Sequence, residues 1–504
     1  MSESGGEKQK VLAGGLLGDK RVVRRISRPL RLRRTLGVPS LFSTGYGNVG
    51  SSIYYALGVT ASFALGATPL ALTLAGAFFV LTVLTYAEAT VAVPEAGGAS
   101  NFARQGFNEF VSFITGWGTL LSYTVTISIS SFSAAAYLSV FFPVLQSSQA
   151  DVVFSVVTIL LLMVLNIVGV NEAAIFSVLF AVIDLITEVL LVVVGSIFLV
   201  NVPLLIHQIH WGTAPTLGNF FHGSAFAMVA YTGIETISNM SEEAATPSKT
   251  VPRAYGFLII AVLVLFAGIS IVALSAMPVR PCLPSDHCAA GVHFTTDLAT
   301  KYRNDPVAGI VKALPHPYSD IMLPLVAILA SSILLIGANA GVLGASRLSF
   351  SMGSYRQVPK FLNRVHKRFK TPYVAVSFFC GMAILIVLPG DIIQLTALYI
   401  FGSTLGFTMA HASLIAMRLK ETPETRSGFR LGLNIPFRGK QIPITAVIGG
   451  LGTLIVFLLI ALTDMFGRYV GFSWLLIGVI VFVVYRKRNN LSLVESSERR
   501  FEMR

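Results

Sequence analysis

The feature that most constrains this chain is a succession of long apolar runs between about residues 41 and 485, parted by short polar segments. A helix needs about 20 apolar residues to cross the hydrocarbon of a bilayer. Twelve runs reach or approach that length, at 41–62, 69–93, 111–142, 152–171, 174–201, 217–240, 254–277, 319–352, 372–390, 392–417, 443–464 and 469–485. The predicted fold class is therefore an all-α membrane protein with twelve transmembrane helices. Composition excludes the soluble alternative. Of 504 residues, 54% are hydrophobic and 12% charged, with mean hydropathy +0.74. An ordinary soluble domain carries about 25% charge.

The basic residues lie almost entirely between or outside the runs. Cytoplasmic loops collect Lys and Arg, so their placement tests the span assignment. With a cytoplasmic N-terminus, 32 of the 37 lysines and arginines fall on that side and 5 on the other. That asymmetry predicts both termini in the cytoplasm. The net charge of +13 thus reads as a topology signal, with no nucleic acid partner, and the lipid bilayer itself is the surface the basic tail could touch. The expected layout is a basic tail at 1–40, a transport core at 41–417, two further helices in 443–485 and a tail at 486–504. No cleavable signal peptide is visible, and no Walker-type run exists to support ATP-driven transport.

Three cysteines are present. Cys282 and Cys288 share one external loop and either pair as a disulfide or stay free. With His287 and His293 they fit no standard zinc spacing, so no metal and no cofactor is expected.

Two runs carry helix-breaking signals. The first contains Gly45, Gly47 and Gly50, then Ser51 and Ser52; the sixth contains Gly233 with Glu235 at mid-span. Unwound backbone is tolerated at membrane depth only where protein or a cavity surrounds it. Paired interrupted helices in corresponding positions of two halves point to a transporter binding site. A break exposes N–H groups at one new end and C=O groups at the other. The first hold a carboxylate and the second an ammonium or a cation. An α-amino acid has both. The alternative is that the glycines merely allow close helix packing.

At these residues the chain resembles the amino acid–polyamine–organocation (APC) transporters. FAMVAYTGIETISNMSEEAATPSKTVPRA, from Phe226 to Ala254, resembles their sixth span and following loop. Tyr86-Ala-Glu88 with Pro94-Glu-Ala-Gly-Gly98 resembles their second-to-third span junction. Ser346 to Met352, with Val358-Pro-Lys-Phe-Leu362 and Thr371-Pro-Tyr373, resembles the eighth-to-ninth junction. The resemblance implies a LeuT-type 5+5 inverted repeat, about 41–201 and 217–417, plus two C-terminal helices. It implies a plasma-membrane secondary transporter, not an enzyme, that moves an amino acid or related amine with a proton or sodium as coupling ion. It places substrate at Asn48, Gly50, Ser51 and Ser52, at the carbonyls of Val229, Ala230 and Tyr231, and at Gly233, with Tyr231 in the gating position. Ser331 and Ser332, with Asn339, occupy the positions of a cation site. Two departures stand out. Ser52 replaces the last glycine of the usual first-span motif, and Asp184 lies where many members carry a fifth-span lysine.

Charged groups in mid-bilayer cost at least about 2.5–3.5 kcal/mol and imply partners or function. Glu235, beside Gly233, is the leading proton-coupling candidate. Asp184 and Glu188 are four residues apart on one helical face and are predicted to share a proton or cation. Glu88 is expected to pair with Arg104 or Arg347. Tyr123 and the polar run 124–133 line the cavity or bond between helices. His222 and His411 read as packed, hydrogen-bonded histidines. One rival remains: Tyr46 to Leu57 also resembles the first span of KUP-type potassium transporters, with Asn48 in place of their acid. A channel filter is excluded because Thr44-Gly-Tyr-Gly47 opens a span directly after a basic tail. No nucleophile–base pair in the spans suggests an enzyme.

Overall fold

The computed structural model describes residues 36–169, 173–283, 286, 293–421 and 428–495, without the side chains of 173–177. The described residues belong to one compact unit. Among the described residues, nine helices are long and apolar enough to cross a membrane, and Tyr373–Val387 is a shorter apolar helix.

Helix α1 (Val38–Gly50) runs through a two-residue step into α2 (Ile53–Ala64), and a 3₁₀ turn leads to α3 (Thr68–Ala92). The short α4 (Ala99–Gly106) precedes the long α5 (Glu109–Leu138), whose first turn is capped by Asn108 accepting from the Val111 N–H. Next come α6 (Ser148–Val168), α7 (Ala173–Phe198) and α8 (Val202–His207). The sixth apolar run yields α9 (Leu217–Ala227) and the five-residue α10 (Glu235–Asn239). Then follow α11 (Pro247–Ala276), α12 (Pro306–Lys312), α13 (Tyr318–Ser354), α14 (Tyr373–Val387) and α15 (Ile392–Lys420). The chain continues through α16 (Ile444–Thr463) and α17 (Met465–Arg488).

Two small hairpins lie in connections: β1 (Arg280–Pro281) pairs with β2 (Phe294–Thr295), and β3 (Asn434–Phe437) with β4 (Lys440–Pro443). Arg280 fixes the first of these connections by bonding Asp286 and Asp297. Cys288 lies outside the described residues, so the Cys282–Cys288 pairing does too; Cys380 is a buried free thiol.

Burial separates an inner set of helices from an outer set. The apolar core window of α5 is 83% buried, whereas that of α6 or α17 is 28% buried. Leu, Val and Ile side chains such as Leu161, Val164, Leu476 and Ile480 point away from the protein. Exposed apolar surface of this extent on bilayer-length helices is matched by lipid, not water. At the centre, α5 packs on α13 and α15. Close approach is allowed by glycines: a Cβ at Gly402 would lie 2.9 Å from the Gly118 carbonyl, and one at Gly344 would strike the Tyr123 ring. Several Ser and Thr hydroxyls on α5 donate to carbonyls one turn back, as Thr124 does to Leu120 and Thr126 to Ser122.

Candidate functional site at a broken helix

The sixth apolar run is broken outright. Helix α9 tightens into a 3₁₀ turn over Met228–Tyr231, Thr232 is extended (φ −86°, ψ 162°), and Gly233 adopts φ +100°. A left-handed conformation of this kind costs any L-residue with a side chain. Space is closed as well, since a Cβ on Gly233 would meet Asn48 at 2.8 Å. The N–H of Gly233 donates to Glu235 Oε2 at 3.1 Å. One of the donors freed by the break is thus satisfied by a buried carboxylate two residues on. Tyr255 of α11 donates to the Ile234 carbonyl at 3.1 Å.

The first run behaves differently. Ser51 (φ −56°, ψ −21°) and Ser52 (φ −70°, ψ −26°) keep right-handed helical backbone. The step consists of a Ser52 N–H to Val49 carbonyl bond at 3.1 Å before the ladder resumes at Ala56. The expectation of an unwound first span is corrected here to a tightened turn. Glycine there serves contact: Cβ atoms at Gly45 and Gly47 would lie 2.7 Å from Ile237 and 3.6 Å from Ala181.

Asn48 joins the two runs. Its Nδ2 donates to the Gly233 carbonyl at 3.3 Å and to Thr236 Oγ1 at 2.8 Å, while its buried Oδ1 has no partner among the described residues. Ser51 donates to the Asn48 carbonyl at 2.9 Å, and its hydroxyl lies beside Gly337 of α13. Ser52 accepts from Tyr55 at 3.2 Å within its own helix. Gly50 lies under the Tyr46 ring.

The other predicted residues are placed as follows. The Val229 carbonyl accepts from the backbone N–H and the hydroxyl of Thr232. Ala230 is buried beside it. Tyr231 packs against Phe79 and Phe266, and its hydroxyl donates to the Leu72 carbonyl of α3 at 2.8 Å. Tyr123 lies on the other side of the break, its hydroxyl accepting from Asn239 of α10 at 2.5 Å. Ser331 donates to Ala327 and Ala134 carbonyls, Ser332 is half-buried, and Asn339 accepts from Asn166 of α6.

Asp184 and Glu188 lie together on the face of α7 turned to the first run. Tyr54 donates to Asp184 Oδ1 at 2.6 Å and Tyr46 to Glu188 Oε2 at 2.5 Å. One tyrosine precedes the step and one follows it. Asp184 Oδ2 and Glu188 Oε1 are buried without partners among the described residues. Sequence reading missed Tyr46, Tyr54 and Asn239. Its available signal was the eight-residue spacing of the two tyrosines, which puts them on one face opposite an i, i+4 acid pair.

Glu88 pairs with Arg418 of α15. Arg104 instead bonds Glu95 at 3.3 Å, and Arg347 lies 4.0 Å from Glu243. The expected partners of Glu88 are corrected accordingly: the fold brings α15 beside the end of α3, a contact between residues 330 positions apart. His411 is held by Thr82 and Thr85 and His222 stacks with Phe63 and Phe226, as packed histidines do.

The family model of amino acid permeases matches residues 43–493. The chain belongs to the amino acid permease family. Its relatives are transporters and not enzymes. The branched-chain amino acid permease BcaP of Bacillus subtilis is 23% identical over 91% of this chain and 94% of its own. The methylthioribose transporter of the same organism is 24% identical over 92% and 96%. Cationic amino acid transporter 3 of Arabidopsis thaliana is 22% identical over 78% of this chain and 64% of its own. Among solved structures, a manganese transporter of Eremococcus coleocola is similar in fold, with a TM-score of 0.54 at 12% identity, covering 90% of this permease and 96% of that chain. The permease is therefore a multi-pass membrane transporter.

Proposed function

We propose that this chain is a secondary active transporter that moves an amino acid, or a related amine, across the plasma membrane by alternating access, coupled to protons. The observation that carries the reading is the break at Thr232–Gly233, walled by Asn48 and capped by Glu235. In the proposed mechanism the substrate carboxylate lies beside Gly50 and Ser51 and meets the hydroxyl of Ser52, which accepts from Tyr55 and keeps its own proton to donate. Its ammonium meets the carbonyls of Ala230 and Tyr231 and the free Oδ1 of Asn48. Binding of such a zwitterion to opposite helix ends follows from the partial charges at those ends.

Glu235 is the proposed proton carrier. Protonation weakens the bond that Glu235 accepts from the Gly233 N–H, which couples the charge of the carboxyl to the conformation of the break. Asp184 and Glu188 are proposed as a second acidic group, facing the first run. The nine long apolar helices, the shorter α14, the division of 38–92 at Leu65–Ala67 and the broken pair α9–α10 are consistent with twelve crossings. In this reading two inverted five-helix repeats, about 41–201 and 217–417, form the core. The helices in 443–485 flank it, and the tails at 1–40 and 486–504 are cytoplasmic.

The test is uptake of labelled amino acids into liposomes holding purified protein, with an imposed proton gradient. Uptake is expected to rise with an acidic exterior and to vanish when the gradient is collapsed. Sodium-driven uptake without a proton gradient would replace the coupling ion alone. Movement of rubidium with no movement of amino acids would overturn the substrate class.

A further inference from the structure

The ends of α3, α4 and α15 enclose a cavity of about 490 Å³ at a distance in sequence from the helix break. Glu88, Glu95, Gln105, Arg418, Lys420 and Glu421 are among its walls. Each carboxylate there has a partner. Glu88 accepts from Arg418 Nε and, at 2.9 Å, from the Leu431 N–H. Glu95 accepts from Arg104 and Tyr355, and Glu421 from Arg430.

The donors are not matched in the same way. Arg418 is only 4% exposed, and neither its Nη1 nor its Nη2 has a hydrogen-bond partner among the described residues. Nη1 of Arg104 is buried and unpartnered too. Among the described residues that line the cavity, Glu88, Glu95 and Glu421 are each paired, whereas the Nη1 and Nη2 donors of the buried Arg418 are not. What the cavity lacks is therefore an acceptor opposite that guanidinium. A guanidinium fixed through Nε presents Nη1 and Nη2 as a planar fork, which fits two oxygens of a carboxylate or phosphate. The volume falls in the range of small-ligand pockets.

We propose that this cavity is an anion-binding site in which Arg418 takes the carboxylate or phosphate group of a small molecule or of a lipid headgroup. None of the residues that line the cavity is among those proposed above to hold substrate, so the proposal does not depend on what is carried. Ligand binding to the folded state raises its melting temperature with saturation, which provides the readout.

Purified full-length protein is titrated in detergent with inorganic phosphate and with succinate at constant ionic strength, chloride being the control. In a second arm, nanodiscs of phosphatidylglycerol are compared with nanodiscs of phosphatidylcholine. A saturable rise with phosphate or succinate identifies a soluble ligand, and a rise confined to phosphatidylglycerol identifies a headgroup. Arg418→Gln is expected to weaken the binding at least tenfold. Because it also strips Glu88 of its cation, Ala92→Trp is the decisive variant. Ala92 is an exposed residue of the cavity wall, so the indole fills the space and leaves the Arg418–Glu88 pair in place. Ala92→Trp is also expected to lose at least tenfold in affinity. No saturable shift with any probe, or undiminished binding by Ala92→Trp, overturns the proposal.

Discussion

The two glycine-marked runs of this permease invite comparison, because similar sequence signals produce different backbones. The first holds three glycines within six residues and two serines after them, yet its backbone stays right-handed through Ser51 and Ser52. The sixth holds Gly233 alone at its centre and breaks completely. Glycine permits a departure from the helix but does not compel one. What differs is the neighbourhood. At Gly233 the freed N–H finds Glu235 and the freed carbonyl finds Asn48. In the first run the backbone keeps its own ladder, and the missing side chains are used for contact with α7 and α10.

Four predictions bear on this contrast, from the largest effect to the smallest. Glu235→Gln is expected to abolish proton-driven uptake while leaving the melting temperature nearly unchanged, because the glutamine carbonyl can still accept from Gly233. Uptake assays with and without a gradient, beside a melting curve, check both halves. Gly233→Ala combines a disfavoured φ with a clash against Asn48 and should cost about 2–5 kcal/mol. Denaturation in detergent would show it as a large loss of folded protein.

Asn48→Ala removes two hydrogen bonds between the runs and should cost about 1–3 kcal/mol. The same variant is expected to raise the KM for substrate, since Asn48 Oδ1 is a proposed ligand. Gly47→Ala is the small counterpart. Its Cβ meets Ala181 at an ordinary 3.6 Å, and alanine is the better helix former by up to about 1 kcal/mol. Its melting temperature should hold or rise slightly. A strong loss in Gly47→Ala would mean that the first run also opens during transport.

The acid pair on α7 repeats the lesson at the level of side chains. The four-residue spacing of Asp184 and Glu188 announced a shared face. That each takes a tyrosine hydroxyl from a different side of the Ser51–Ser52 step depends on how α7 lies along α1 and α2. In the same way the charge of Glu88 in an apolar run announced a partner, and the two expected, Arg104 and Arg347, pair elsewhere. The partner comes from α15.

The sequence by itself determined that this chain is a helical membrane protein, where its apolar helices lie, and that the sixth run carries a glycine and an acid in mid-span. These follow from local physics: the length needed to cross hydrocarbon, the alternation of apolar and basic segments, and the conformational freedom of glycine. Only the tertiary structure decided which glycines sit in broken backbone, which polar atoms are left without partners, and which distant helix supplies each buried charge with its counterpart. Those are matters of packing between segments far apart in the chain, and no local pattern encodes the neighbour that a buried group will meet.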